Sequence, residues 1–180
     1  MLRQAKPFKT TLAALAAVAA LLVCQPSRAA EEFEQHGVHE HGHVVLNVAL
    51  EGDTLALEWS APADQVLGFE HAPRTAAERE RLAAATQWIT RGTDVLGLPP
   101  AAGCRVQNVA HTPPALQNSA HADYRARHVF VCAKPEALAW VEPWLLRKLQ
   151  DVEHVEVNIV APGVQRQNTV RRADERIALR

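Results

Sequence analysis

The sequence predicts an α+β fold, a mostly antiparallel sheet with two helical segments packed on one face and one disulfide. Short apolar runs recur along the chain between turn residues, which is typical of antiparallel strands. One long amphipathic stretch begins with a capping box, and both features are typical of a helix that packs on a sheet. Two cysteines, Cys104 and Cys132, each mark one end of a strand-like run and can be bridged.

The first 29 residues have the order of a secretory signal peptide. A basic start precedes the apolar run Thr11–Val23 and the small residues Ser27 and Ala29, so we expect cleavage after Ala29 and a periplasmic protein. The apolar run is shorter than the ~20 residues of a membrane-spanning helix, so we expect no transmembrane segment in the mature chain. Cys24 leaves lipidation as an alternative, although bulky Val23 stands where lipoprotein processing needs a small residue.

Removal of this leader changes the charge and the cysteine count. The full chain has 19 Lys and Arg against 20 Asp and Glu, and the leader holds only basic charges, which leaves a mature net charge of −5. An acidic balance argues against nucleic acid as a partner, because nucleic-acid binding needs a basic excess. The mature chain keeps Cys104 and Cys132, and an even pair in an oxidising compartment predicts a disulfide. We expect a His-rich segment over residues 30–43 and a single α+β domain over residues 44–180.

The domain opens with a predicted hairpin. The apolar runs Val44–Leu50 and Leu55–Trp59 flank the turn residues Glu51–Thr54, which predicts two antiparallel strands. Ser60-Ala61-Pro62 then offers a cap and an early proline for a short helix that ends near Leu67.

The second helix has both end signals. Thr75 and Glu78 form a capping box, and Gly92 follows the last turn near Arg91. The apolar stripe that we expect to face the core consists of Leu82, Ala85, Trp88 and Ile89.

Two further strands are predicted over Cys104–Ala110 and Tyr124–Cys132. An antiparallel register with Cys104 opposite Cys132 brings the thiols together and pairs apolar side chains. The other pairs of this register are Val106 with Phe130, Asn108 with His128, and Ala110 with Ala126.

The remaining chain is predicted to form a helix, a strand and edge strands. Pro135–Gln150 has a helical pattern that Pro143 interrupts. Val155–Val160 predicts a strand that ends at a Pro162-Gly163 turn, and the apolar residues around Val170 and Ile177–Leu179 predict edge strands.

The main chemical signal is a run of histidines, His36, His39, His41 and His43. In an extended chain the last three share one face, ~6.5–7 Å apart for successive members, and Gly37 and Gly42 allow the bend that lets them converge. Neutral imidazole suits Zn²⁺, Cu²⁺ and Ni²⁺. The run therefore predicts a metal site, with Zn²⁺ as the expected ion.

We expect no catalytic activity. His39-Glu40-His41-Gly42-His43 satisfies the letters of the H-E-x-x-H protease motif, but that motif works only on a helix. Gly42 and the strand that follows exclude a helix here. Isolated histidines such as His128 and His154 are expected to be structural, whereas a second site at His111, His121 and Asp123 stays open.

Five features follow one another along the chain, His39–Gly42, Leu46–Ala49, Gly68–Pro73, Ala102–Cys104 and Cys132. In this order they resemble the ZrgA-like periplasmic zinc-binding proteins. The resemblance covers nearly all of the mature chain. It implies an exported accessory protein of zinc acquisition that holds or passes on Zn²⁺ beside a zinc importer or its binding protein.

The resemblance also implies that His71 lies near the first strand and joins the ligands. Better-known members carry a long insert rich in His, Asp and Glu between the cysteines, where this chain has only residues 111–123. We therefore expect few sites rather than a high-capacity store. The expected ligands are His36, His39, His41, His43 and His71.

Three alternatives remain open. The histidines could be incidental to a structural or interaction module of the envelope, or they could bind copper or nickel, which imidazole also suits. A metal shared between two histidine-rich termini could also hold a homodimer together.

Overall fold

The computed structural model describes residues 42–117 and 122–180. Within them, the main-sheet strands are β1 (His43–Glu51), β2 (Thr54–Pro62), β3 (Cys104–Thr112), β4 (Asp123–Cys132), β6 (His154–Ala161) and β7 (Val164–Val170). A small second sheet pairs β5 (Trp140–Val141) with β8 (Ile177–Ala178), and the α-helices are α1 (Ala63–Leu67) and α2 (Ala76–Arg91). The predicted fold class is confirmed. The leader, residues 1–29, and most of the His-rich segment lie outside the described residues.

The main sheet has the order β3-β4-β2-β1-β6-β7. The predicted β1–β2 hairpin is present, with Leu46 opposite Trp59. On its other side β1 pairs with β6 in parallel, whereas the remaining pairs of this sheet are antiparallel. The first strand therefore lies in the middle of the sheet, beside a strand from the far end of the chain.

Helix α2 begins and ends where the sequence predicts. Thr75 accepts a hydrogen bond from the backbone N–H of Glu78, and the Glu78 carboxylate accepts one from the backbone N–H of Thr75. Gly92 ends the helix in the left-handed conformation, at φ 68°, which costs a glycine little. Ala85, Trp88 and Ile89 are buried, and the Trp88 ring stacks on Trp59 of β2 with centroids 5.8 Å apart. The helix thus covers one face of the sheet.

The start of α1 differs from the prediction. Ser60 does not cap the helix, because β2 continues to Pro62 and pairs there with β4, Ser60 opposite Arg125. The helix begins at Ala63 without a side-chain cap. The backbone hydrogen bonds of a central strand outweigh a local cap that the sequence alone offers.

The β3–β4 register is right at the cysteine end and wrong beyond it. Cys104 pairs with Cys132 and is bonded to it, and Val106 pairs with Phe130. A bulge between Val106 and Asn108 then shifts the pairing by one residue, because a bulge sets two residues of one strand against one of the other. The observed pairs past the bulge are Asn108 with Val129, Val109 with His128, and His111 with Ala126.

The helix predicted over Pro135–Gln150 is not present. The segment forms two short 3₁₀ turns, Pro135–Ala137 and Trp144–Lys148, on either side of β5. Prolines at 135 and 143 remove backbone donors, and β5 finds a partner in β8 instead. The C-terminal strands β7 and β8 are present as predicted, and the turn at Pro162-Gly163 joins β6 to β7.

The two faces of the sheet differ in composition. Alternate residues of β1, β2 and β6 are buried on the helix-covered face, where Val44, Leu55 and Val157 have no exposed surface. The residues between them point to the opposite face, which we call the open face. It carries polar side chains, among them the ion pair of Arg127 with Glu58, joined over 2.9 Å. His43 and His154 belong to this open face.

Candidate metal centre

Two histidines meet where β1 and β6 begin. His43 is the first residue of β1, His154 is the first residue of β6, and the parallel register places them directly opposite each other. Both are half-buried, and their rings stack with centroids 4.7 Å apart at an angle of 22°. Neighbouring strands lie ~4.8 Å apart, so the stack follows directly from the pairing of the two strands.

Gly42 fixes the start of this strand pair. Its carbonyl oxygen accepts hydrogen bonds from the backbone N–H groups of Glu153 (2.9 Å) and His154 (3.2 Å). Its φ is +84°, and a Cβ added there would lie 2.8 Å from Cγ of Glu153. The positive φ favours glycine here, and any other residue would also displace the Glu153 side chain. The glycine predicted to bend the His-rich segment also joins the segment to β6.

A carboxylate lies next to the two rings. Glu156, two residues after His154 on the open face, accepts a hydrogen bond of 2.9 Å from the side-chain amide of Asn158. This hydrogen bond lowers the pKa of Glu156 below its ordinary value, and the nearby His43 and His154 lower it further. Asn158 also donates to the side chain of Asn47 over 3.1 Å. The centre is thus a pair of imidazoles with an ionised carboxylate held beside them.

The other ligands predicted from the sequence are placed as follows. His36, His39 and His41 lie outside the described residues. His71 lies in the loop before α2, where its Nδ1–H donates to the carbonyl oxygen of Ala72 and its Nε2 lies 3.9 Å from Glu78. Over residues 42–117 and 122–180, no three His, Cys, Asp or Glu side chains are grouped closely enough to hold a metal ion. The role of His71 as a ligand stays a prediction.

His154 is the residue of this candidate centre that the sequence pattern did not indicate. It stands at a strand start, as His43 does, and that shared position is the one signal in the sequence. Nothing local indicates that the two strands pair, since they are far apart in the chain and both pack the core with the same period-two pattern.

A second pair of histidines lies on the helix-covered face. His128 is fully buried, and its Nε2–H donates to the carbonyl oxygen of Ile89 over 2.9 Å. Burial lowers the pKa of His128, and the nearby His111 lowers it further. Asp123 forms an ion pair with Arg125 on the opposite face, and His121 lies outside the described residues. The side chains of His111 and Asp123 thus belong to opposite faces of the sheet.

Residues 38–179 match the model of the ZrgA family zinc uptake protein. The chain belongs to the ZrgA family. The match covers the folded domain and begins within the His-rich segment, before His39. No curated protein matches the chain.

The ZrgA family is a zinc uptake family, associated with transport rather than catalysis. Family membership therefore agrees with a site made of imidazoles and a carboxylate, which are ordinary zinc ligands and partners. None of the helices in the described part of the chain is long and apolar enough to cross a membrane. The disulfide between Cys104 and Cys132 is typical of proteins outside the reducing cytosol.

Proposed function

We propose that this protein is a periplasmic Zn²⁺-binding accessory protein of zinc acquisition, and that it binds the ion through its N-terminal histidines. The proposed ligands are His36, His39, His41 and His43, with His71 as a further candidate. The observation that carries the proposal is the family match to zinc uptake proteins, together with a histidine run that leads directly into the stacked ring of His43. Zinc here is cargo, to be held and passed to a zinc importer or its binding protein.

The chemistry of the ligands sets the conditions of binding. Imidazole binds a metal only in its neutral form, so the affinity weakens as pH falls below the ordinary histidine pKa of ~6.5. A leader cleaved after Ala29 delivers the chain to an oxidising compartment, where the bond between Cys104 and Cys132 is stable. The mass of the purified protein tests this cleavage.

Zinc titration tests the proposed function. The full-length gene is expressed in a bacterial host, the processed protein is purified, and Zn²⁺ is added in an isothermal calorimeter. We expect saturable binding with Kd below ~10 µM and a large loss in the triple variant His39→Ala/His41→Ala/His43→Ala. The matched control is His111→Gln, a half-buried histidine on the helix-covered face, which leaves binding unchanged.

Two results would contradict the proposal. Absence of saturable zinc binding, or equal binding by the triple variant, shows that the histidine run is not the site. Competition among Zn²⁺, Cu²⁺ and Ni²⁺ tests the metal, because intrinsic affinity favours Cu²⁺ over the other two. A zinc-selective site is expected to retain Zn²⁺ at equal concentrations of Cu²⁺ and Ni²⁺, against this intrinsic order.

A further inference from the structure

We propose that His154 is a zinc ligand that acts together with His43, and that Glu156 is the positioning residue for both imidazoles. The inference rests on the proposed function, since it names further residues of the same site. It differs in one respect: it makes the folded sheet, and not only the histidine run, part of the metal centre.

The first argument is the distance between the rings. A zinc ion lies 2.0–2.1 Å from each imidazole nitrogen, which places two nitrogens of a tetrahedral site about 3.4 Å apart. The rings of His43 and His154 are 4.7 Å apart between centroids and inclined by 22°. Because the nitrogen lone pairs lie in the planes of the rings, both side chains turn about their side-chain bonds until one nitrogen of each ring faces a common ion. The parallel register holds the two Cα atoms in place while this happens.

The second argument is the carboxylate. Histidines that bind metals usually donate their other ring N–H to a carboxylate or carbonyl oxygen, which fixes the ring and raises its basicity. Glu156 lies within electrostatic range of both rings, and Asn158 holds its carboxylate through a hydrogen bond of 2.9 Å. The negative charge also favours a divalent cation near the two rings.

The two imidazoles supply half of a four-coordinate zinc site, and water or further ligands take the other positions.

Participation of His154 has a consequence that separates this site from a simple histidine run. Since β1 and β6 come from distant parts of the chain, their histidines meet only in the folded protein. Zinc bound by both rings therefore stabilises the fold by mass action, whereas zinc bound by consecutive histidines alone binds folded and unfolded chain alike. Thermal unfolding with and without zinc distinguishes the two.

The test measures zinc affinity and the melting temperature of wild type, His154→Gln, and the control His111→Gln. For wild type at zinc 100-fold above Kd, we expect a rise in Tm of about 5–10 °C. His154→Gln is expected to lose most of this rise and to bind zinc at least about tenfold more weakly. With a chelator present its Tm should equal that of wild type, because the side chain is half-exposed on the open face.

A second measurement needs no substitution at the site. The imidazole ¹⁵N shifts of His43 and His154 in the wild-type protein are followed by NMR during zinc addition, and both are expected to change together. Glu156→Gln is expected to alter these shifts before zinc is added and to weaken zinc binding about 10- to 100-fold, with Glu156→Asp restoring part of the affinity.

The outcomes separate the two proposals. If wild type binds no zinc, the proposed function fails and this inference fails with it. If zinc binds but neither raises the Tm nor moves the His154 signals, the role of His154 is refuted, while the proposed function stands on the histidine run alone.

Discussion

Removal of the disulfide is expected to destabilise the domain strongly. In the double variant Cys104→Ala/Cys132→Ala, the unfolded chain regains the freedom that the bond takes from a loop of 28-residue separation. The chain-entropy relation for a loop of this size gives about 3–4 kcal/mol. A domain of this kind has a total stability of only about 5–15 kcal/mol, so the loss is a large fraction of the whole.

The assay is equilibrium unfolding in urea at pH 7, followed by tryptophan fluorescence, with a chelator present to exclude metal effects. The midpoint should fall by about 2 M for a slope near 1.5–2 kcal/mol/M. Wild type treated with a reducing agent serves as the control and is expected to match the double variant to within about 1 kcal/mol. A difference below about 1 kcal/mol between oxidised wild type and the variant would refute the loop-closure reasoning.

Three further predictions concern pH and packing. Burial lowers the pKa of His128 below its ordinary 6.5, so the unfolded chain takes up the proton at higher pH than the folded protein does. The free energy of unfolding is therefore greatest above pH 6.5 and falls as the pH drops below it. His128→Leu should flatten this pH dependence in urea titrations at pH 5–8, and an unchanged dependence would contradict the prediction. Thr75→Ala breaks the capping box with Glu78 and should cost about 1 kcal/mol in the same assay, whereas Thr75→Ser should cost almost nothing. A Cβ at Gly97 would lie 2.4 Å from the Trp144 ring, so Gly97→Ala should cost about 1–3 kcal/mol by overpacking, and a neutral effect would show that the ring moves freely.

Local signals predicted the elements whose determinants lie within a few residues of one another. The capping box and Gly92 predicted where α2 begins and ends, because each contact spans only one or two turns of helix. The β1–β2 hairpin follows in the same way from its turn and its alternation. The position of the disulfide was also predictable, since the cysteines align when two neighbouring strands are paired.

The sequence pattern did not predict the structure of segments that depend on a partner from a distant part of the chain. The helical pattern of residues 135–150 gave way to 3₁₀ turns and β5, because β8 supplies hydrogen bonds from a distant part of the chain. The bulge after Val106 likewise shifted His111 and His128 into one neighbourhood. Nothing in the nearby sequence indicates the partner strand of β5 or the extra residue of the bulge.

The sequence by itself determined the histidine run, the disulfide and the class of fold, since these depend on residue type and short-range order. Only the tertiary structure decided that β1 pairs with β6 in parallel and that His43 therefore lies against His154. Alternation tells which face of a strand is buried, but it is the same for every possible neighbour. The choice of neighbour depends on how the whole core packs, and that choice places His154 of β6 beside His43 of β1.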